Sequence, residues 1–260
     1  MIGALSAAAT GLEAQQIKME NIANDMANVN TDGYKRSHTE FHDLMYETVK
    51  EPGGALGAAS QSPVGIQIGR GVKVGATYKN FEPGPSKMTY NPYDLMLDGP
   101  GFLPVQTPQN ETVYTRTGAF HVDSQGTLTL SNGCKLIPQI TVPRNALNIT
   151  ISRQGEVKAT LQGEGEAVLG QIQVVGFQNE RGLKAMGEGL YKTTPASGAP
   201  IQSVPGEGGT GSVIQGGLEG SNVNVANSMV DMISTQRAYE MGTKVMSAAD
   251  QMLSATINIK

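Results

Sequence analysis

The chain has 260 residues, a formal net charge of −4 and 16% charged residues, its 19 Lys and Arg scattered along the length. This excludes nucleic acid as a main partner, because phosphate binding needs clustered cations and the densest pair here is Lys35-Arg36. Aromatics are 5%, Trp is absent, and 33 Gly and 13 Pro predict short strands and turns around a modest core, not a compact enzyme core.

Residues 1–36 open with a predicted helix from Gly3 to Asn30. Leu5, Leu12, Met19 and Met26 recur every seven residues, and Ala8, Gln15, Ile22 and Val29 follow three behind. These are heptad a and d positions with one polar intrusion at Gln15. Asn28, Asn30, Thr31 and Gly33 read as the helix stop, with Gly33 in the left-handed conformation.

Residues 37–63 read as a linker, Gly, Ala and Ser rich from Glu51 to Ser62. Residues 64–215 form a β-rich central domain. Thr127 to Leu130 alternates into a Ser131-Asn132-Gly133 turn, since Asn-Gly suits the positive φ of a tight hairpin. Ile149 to Ile151, Val157 to Leu161 and Ile172 to Val175 are further strands. The Gly-rich stretch Gly206 to Gly220 reads as a second flexible connection.

Residues 216–260 carry the second long helix, from about Asn222 to Ile259, with Ser221 or Asn222 as its cap. Val225, Met232, Tyr239, Met246 and Leu253 form its heptad column, widened by Met229, Ile233, Ala249 and Met252. Some 35 residues without Pro at this period point to a coiled coil. The alternative is that both helices pack on the central domain as ordinary amphipathic helices. The fold class is therefore α+β: long helices at both ends, a coiled-coil-like layer, and a β-rich middle. Tyr239 is expected to be buried with its hydroxyl bonded. Arg237 is expected to meet a carboxylate, across a subunit boundary or at Glu240.

No site constellation for catalysis is visible. His38 and His42 would share one face of a helix, yet no H-E-x-x-H motif is present. Gly206 to Gly211 fits G-x-G-x-x-G without a strand leading in or a helix following. Cys134 is single, which excludes an intrachain disulfide, and no basic cluster flanks it. Asp94, Asp98 and Asp123 are what a hydrolytic β-domain would have to use. No cofactor or metal is expected. No apolar run approaches the ~18 residues of a membrane helix, and the first residues lack a basic n-region and an apolar h-region. The expectation is no membrane insertion and no cleavable signal peptide.

Two runs of residues carry a resemblance. Asn21-Ile22-Ala23-Asn24 with Ala27-Asn28-Val29-Asn30-Thr31-Asp32-Gly33-Tyr34-Lys35-Arg36 resembles the N-terminal signature of the flagellar axial family of rod and hook proteins. Glu219-Gly220-Ser221-Asn222-Val223-Asn224, Met229 to Ile233 and Thr235-Gln236-Arg237-Ala238-Tyr239-Glu240 resemble its C-terminal signature. Ile68 to Val72, Leu97 to Phe102 and Tyr114 to Phe120 extend it through the middle. The length, and an insert at Tyr46 to Ser62, resemble the distal rod type; a proximal rod or short hook protein is the rival.

The resemblance implies a structural subunit that polymerises helically into a hollow drive shaft. It implies an inner coiled-coil layer around an export channel and an outer β layer. It also implies export by the flagellar type III apparatus and residence in a rod crossing the periplasm. Other rod subunits, hook protein, and the P and L outer rings acting as a bushing are the implied partners. The heptad columns, the stop at Asn28 to Tyr34 and the Gln236 to Tyr239 cluster are then assembly surfaces. A tube needs heterologous contacts that do not close, and Met side chains adapt to unequal neighbours. Both ends are expected to be disordered before assembly and to fold on docking.

Overall fold

In the computed structural model, residues 2–51, 55–57, 60–61, 64–161 and 165–258 are described. The chain divides into two compact units: residues 1–26, 37–78 and 225–260 form one, and 27–36 with 79–224 form the other.

The first unit holds both long helices. Helix α1 spans Ile2–Ala27, 26 residues with five Ala between positions 4 and 14 and no Pro. It stops three residues short of Asn30, because the chain turns at Asn28, whose carbonyl accepts the Thr31 N–H at 3.2 Å. Strand β1 is Ser37–Asp43, β2 Glu47–Lys50, β3 Ala55–Gly57, β4 Ser60–Gln61, β5 Ile66–Ile68 and β6 Val72–Lys79. β1 pairs with β6 and β2 with β5, so the stretch expected to be a linker carries a long antiparallel ribbon. Of the expected insert, residues 52–54, 58–59 and 62 lie outside the described residues, as does Pro63. Helix α2 spans Val225–Asn258, and the expected last residue, Ile259, also lies outside them. Neither expected cap serves it: Ser221 Oγ accepts the Val223 N–H, and Asn222 Oδ1 accepts the Arg36 N–H.

α1 presents polar side chains to the ribbon. Asp25 is buried and its carboxylate accepts the Ser37 N–H at 3.0 and 3.1 Å. Asn21 donates to Thr39 Oγ1 at 2.8 Å. Thr10 Oγ1 accepts the Val72 N–H at 3.4 Å. Its apolar column turns to α2, where Leu12 lies over Gly242.

The second unit is the β-rich region. Its strands are β7 Ser86–Met88, β8 Leu95–Asp98, β9 Leu103–Gln106, β10 Thr112–Thr115, β11 Phe120–Val122, β12 Leu128–Leu130 and β13 Lys135–Leu136. They continue with β14 Ala146–Ile151, β15 Glu156–Leu161, β16 Gly165–Gln171, β17 Val174–Gly176, β18 Lys184–Gly187, β19 Leu190–Lys192, β20 Ile201–Ser203, β21 Ser212–Gln215 and β22 Gly217–Glu219. A seven-stranded sheet runs β11-β12-β13-β9-β10-β19-β18, and a three-stranded one runs β14-β15-β16. The hairpin expected at Asn132-Gly133 forms between β12 and β13, with Gly133 at φ 80°.

The Gly-rich stretch expected to be flexible is instead structured at its C-terminal end. β21 pairs with β8 and β22 with β7. The low aromatic content is offset by concentration: Phe81, Phe102, Tyr114, Phe177 and Tyr191 meet edge to face at centroid distances of 4.9–5.8 Å. Phe120, Leu136, Val157 and Ile172 fill the adjoining aliphatic core.

Candidate functional site

Two places gather the residues singled out by the sequence: the seam of the helices, and the cluster where both terminal segments enter the β-rich unit.

On α1, Leu5, Leu12, Met19, Ile22 and Met26 are all half-buried, as one face of a packed helix should be. On α2 the expected column splits. Met232, Met246 and Leu253 are half-buried, whereas Val225, Met229, Ile233 and Tyr239 are exposed, Tyr239 at 38%. Of the residues that complete the α2 seam, only Ala249 stood in the expected stripe. Those residues are Ser228, Thr235, Gly242 and Ala249, also spaced by seven, with Thr235 and Ala249 fully buried. Small residues let the helix axes approach: a Cβ on Gly242 would lie 2.8 Å from Leu12 Cδ2.

Tyr239 thus departs from the expectation, because the close approach at Gly242 leaves its bulk at the margin. Its hydroxyl makes no hydrogen bond among the described residues. Gln236 and Arg237 are exposed, and no Arg237–Glu240 ion pair forms there. Met229, Val230, Ile233, Met241, Val245 and Met252 leave α2 with more apolar surface than α1 covers.

The second place is a joint. Gly33 has φ 73°, as expected of the stop, and its N–H donates to the Glu219 carbonyl at 2.6 Å. A Cβ there would meet Arg116 C and Thr117 N at 3.0 Å, so only glycine lets the chain cross this close. Val29 and Asn28 are half-buried, while Asn30 and Thr31 are exposed; Thr31 Oγ1 bonds Asn28 Oδ1 at 3.2 Å. Tyr34 lies under the Lys79 ammonium, 4.2 Å from the ring centroid, and its hydroxyl accepts from Lys79 Nζ at 3.1 Å.

At the centre are three charges the sequence reading did not isolate. Lys35 and Glu219 are buried, with Nζ and Oε1 2.6 Å apart, and Nζ also donates to the Glu82 carbonyl at 2.6 Å. Arg116, equally buried, reaches Glu219 Oε2 at 3.5 Å and the Gly99 carbonyl at 2.8 Å, its guanidinium 5.3 Å from the Phe102 ring centroid. Gly84 N–H gives Glu219 Oε1 another bond at 3.0 Å. One carboxylate therefore ties residues 35, 84 and 116 to the segment leading into α2. Burial lowers the Lys35 ammonium from 10.5, against the pull of Glu219. Burial also lifts the Tyr191 hydroxyl to about 12.

Glu180 belongs to the same field. Burial raises its carboxyl above 4.5, while Arg116 and Lys35 pull it down. A raised acid pKa means the folded state holds more protons above pH 4.5, so ionisation there removes stability as pH rises. Glu180→Gln is expected to gain stability over the parent from pH 4.5 upward. Urea unfolding at pH 4.5 and pH 7 checks this: an equal difference at both would disprove it.

The remaining candidates have structural places. His38 and His42 lie on β1, not on a helix; His38 packs on Tyr78 at 5.2 Å and His42 lies over Gly75. Among the described residues no three His, Cys, Asp or Glu side chains form a metal-sized group. Asp94 is buried, taking the Thr89 hydroxyl at 2.6 Å and the Asn91 amide at 2.9 Å, which fixes a turn. Asp98 and Asp123 are exposed at strand ends. Cys134 is buried, and burial pushes its thiol up. No described helix is long and apolar enough to cross a membrane.

Residues 5–35 match the model of the flagella basal body rod protein family. Residues 96–159 match the flagellar hook protein FlgE/F/G D1 domain, and 214–259 the C-terminal domain of flagellar basal body rod FlgEFG proteins. The joint draws on all three: Lys35, Arg116 and Glu219 each lie in a different one. The chain is 44% identical to the flagellar basal-body rod protein FlgG of Buchnera aphidicola subsp. Schizaphis graminum, covering 97% of this chain and 98% of that one. It is 43% identical to FlgG of Caulobacter vibrioides over 99% of each chain, and 40% to that of Borreliella burgdorferi over 100% and 99%. The chain belongs to the family of flagellar basal-body rod proteins FlgG, structural subunits and not enzymes.

Proposed function

We propose that this chain forms the distal part of the rod, polymerising helically into a hollow shaft that transmits torque and lines the export channel. The seam of α1 and α2 is the inner, coiled-coil-like layer and the β-rich unit the outer one. The observation that carries this reading is the apolar surface α2 keeps beyond its seam with α1, at Met229, Ile233, Met241, Val245 and Met252. A monomer gains nothing from such a stripe, whereas a subunit flanked by copies of itself buries it.

Leu5, Leu12, Met19, Ile22, Met26, Met232, Met246 and Leu253 hold the two helices together in this scheme. Val225, Met229, Ile233, Gln236, Arg237 and Tyr239 face neighbouring subunits. Asn28, Val29, Asn30, Thr31, Gly33 and Tyr34 aim α1 out of the joint. The ribbon of β2 and β5, with Val49, Ile66 and Ile68 exposed, supports the distal over the proximal type, as a surface reaching a further neighbour. Partners in this reading are other rod subunits, hook protein, the P and L rings, and the type III export apparatus that delivers the chain to a rod crossing the periplasm.

Electron microscopy of basal bodies from a strain lacking the chain tests the reading. A truncated rod without hook or filament is the expected result. A full rod with hook would overturn it.

A further inference from the structure

Tyr90 is 85% exposed and its backbone φ is 59°, in the left-handed region that side chains other than Gly and Asn seldom adopt. The turn around it is firmly held. The Thr89 and Tyr90 N–H groups both donate to the Gly216 carbonyl, at 2.9 and 3.0 Å. Asp94 fixes Thr89 and Asn91 on either side. The phenol itself makes no hydrogen bond among the described residues. Glycine would serve this turn without strain, so the ring has no folding task that explains its cost. Strain kept in this way marks a site of use.

A cavity of about 270 Å³ lies elsewhere on the same unit, lined in part by Gly101, Phe177, Glu180, Ile201, Ser203 and Thr210. A cavity of about 150 Å³ accepts a benzene ring, so this one has room for a phenol. Phe177 offers an aromatic wall. The Glu180 carbonyl accepts the Leu183 N–H at 3.1 Å, while its carboxylate, whose pKa burial raises, makes no hydrogen bond among the described residues.

The two features stand at opposite ends of one ladder. β8 and β21 pair from Leu95↔Gln215 to Asp98↔Ser212. Gly216, which holds the Tyr90 turn, follows Gln215 at one end. At the other, the Gly211 N–H donates to the Pro100 carbonyl at 2.7 Å beside the cavity. Four residues span about 13 Å. A projection at one end and a complementary hollow at the other give a heterologous contact that joins copies head to tail without closing.

We propose that Tyr90 of one copy seats in this cavity of the next, its ring against Phe177 and its hydroxyl on the Glu180 carboxylate. This rests on the rod-subunit reading, and its test separates the two. Rods are isolated from cells that make the Tyr90→Cys, Ser203→Cys double variant beside the unaltered chain, whose Tyr90 sustains assembly, and are oxidised. A ladder of covalent oligomers on a non-reducing gel is expected, with monomer from either single variant; monomer alone from intact rods that contain the double variant overturns the contact and leaves the rod reading standing.

Tyr90→Gly supplies a second readout. It is expected to raise the melting temperature of the monomer by about 2–4 °C, because strain is relieved, while giving truncated rods. Rods of normal length from Tyr90→Gly would overturn the contact. Normal rods in a strain lacking the chain altogether would instead overturn the rod reading.

Discussion

Glu219→Gln is expected to cost about 3–5 kcal/mol of stability in the β-rich unit, a fall of roughly 10 °C in its melting midpoint. The change is nearly isosteric, so the loss comes from charge. Among the described residues Glu219 is the one carboxylate bonded to both Lys35 and Arg116, and all three side chains are buried. Without it two cations remain out of water. Arg116 already has Nε and Nη2 without partners among the described residues, so it cannot absorb the loss by rearranging its bonds. Lys35 keeps one carbonyl, from Glu82. Lys35→Met in the same background is expected to restore part of the stability, since it removes one of the stranded charges. A Glu219→Gln loss below about 1 kcal/mol, the range of exposed pairs, would show that water reaches the cluster. The assembly consequence follows from position. Gly33, Lys35 and Glu219 lie where the two terminal segments enter the unit, so a loosened joint frees the segments that lead to both helices. Rods are expected to be absent even at temperatures where the unit stays folded.

That joint was the part of the molecule least legible in the sequence, although its residues stood inside the runs that resemble flagellar axial proteins. A lysine or arginine reads as surface by default, since these residues are almost never buried unpaired. Nothing local marks Lys35, Arg116 and Glu219 as partners, because the contacts of Glu219 with Arg116 and Lys35 span 103 and 184 positions along the chain and form only when the unit closes. The glycine beside them was legible, because a helix stop demands a particular backbone and Gly33 supplies it. The same contrast holds elsewhere. The β12–β13 hairpin was readable from Asn132-Gly133, a local rule. The pairing of β21 with β8 was not, because Gly206 to Gly220 has the composition of a linker and becomes strand through distant partners. β1 was read as polar linker because its side chains half-face α1 through Asn21 and Asp25, which hides the apolar alternation of a strand. In α2 the large column was legible and, Ala249 apart, the small one was not. Ser228, Thr235 and Gly242 carry no hydrophobic signal, yet close packing selects small side chains where axes approach.

Gly242→Leu tests that last point and is expected to separate α1 from α2. The balance of terms decides its sign. Leucine in place of glycine within a helix gains about 0.8–1 kcal/mol of intrinsic helix propensity, so an unconstrained site would be stabilised. Here even a Cβ comes to 2.8 Å from Leu12 Cδ2, and the further carbons of leucine have to occupy the space Leu12 fills. Overpacking of this kind costs about 1–3 kcal/mol where neighbours can shift, and more where they cannot. Leu12 has little room to shift, because α1 is tied to the ribbon on its other side through Thr10, Asn21 and Asp25. The helix pair is therefore expected to open, and polymerisation of the purified chain to fall at least tenfold. The second half of the test exchanges the sizes. Leu12→Gly alone leaves a void against Gly242, and its effect should also be adverse. Leu12→Gly combined with Gly242→Leu restores a large side chain against a small one, and the double variant is expected to assemble better than either single one. That non-additivity is the signature of direct contact. Additive losses would mean that Leu12 and Gly242 act on separate surfaces, and that the small column of α2 faces something other than α1.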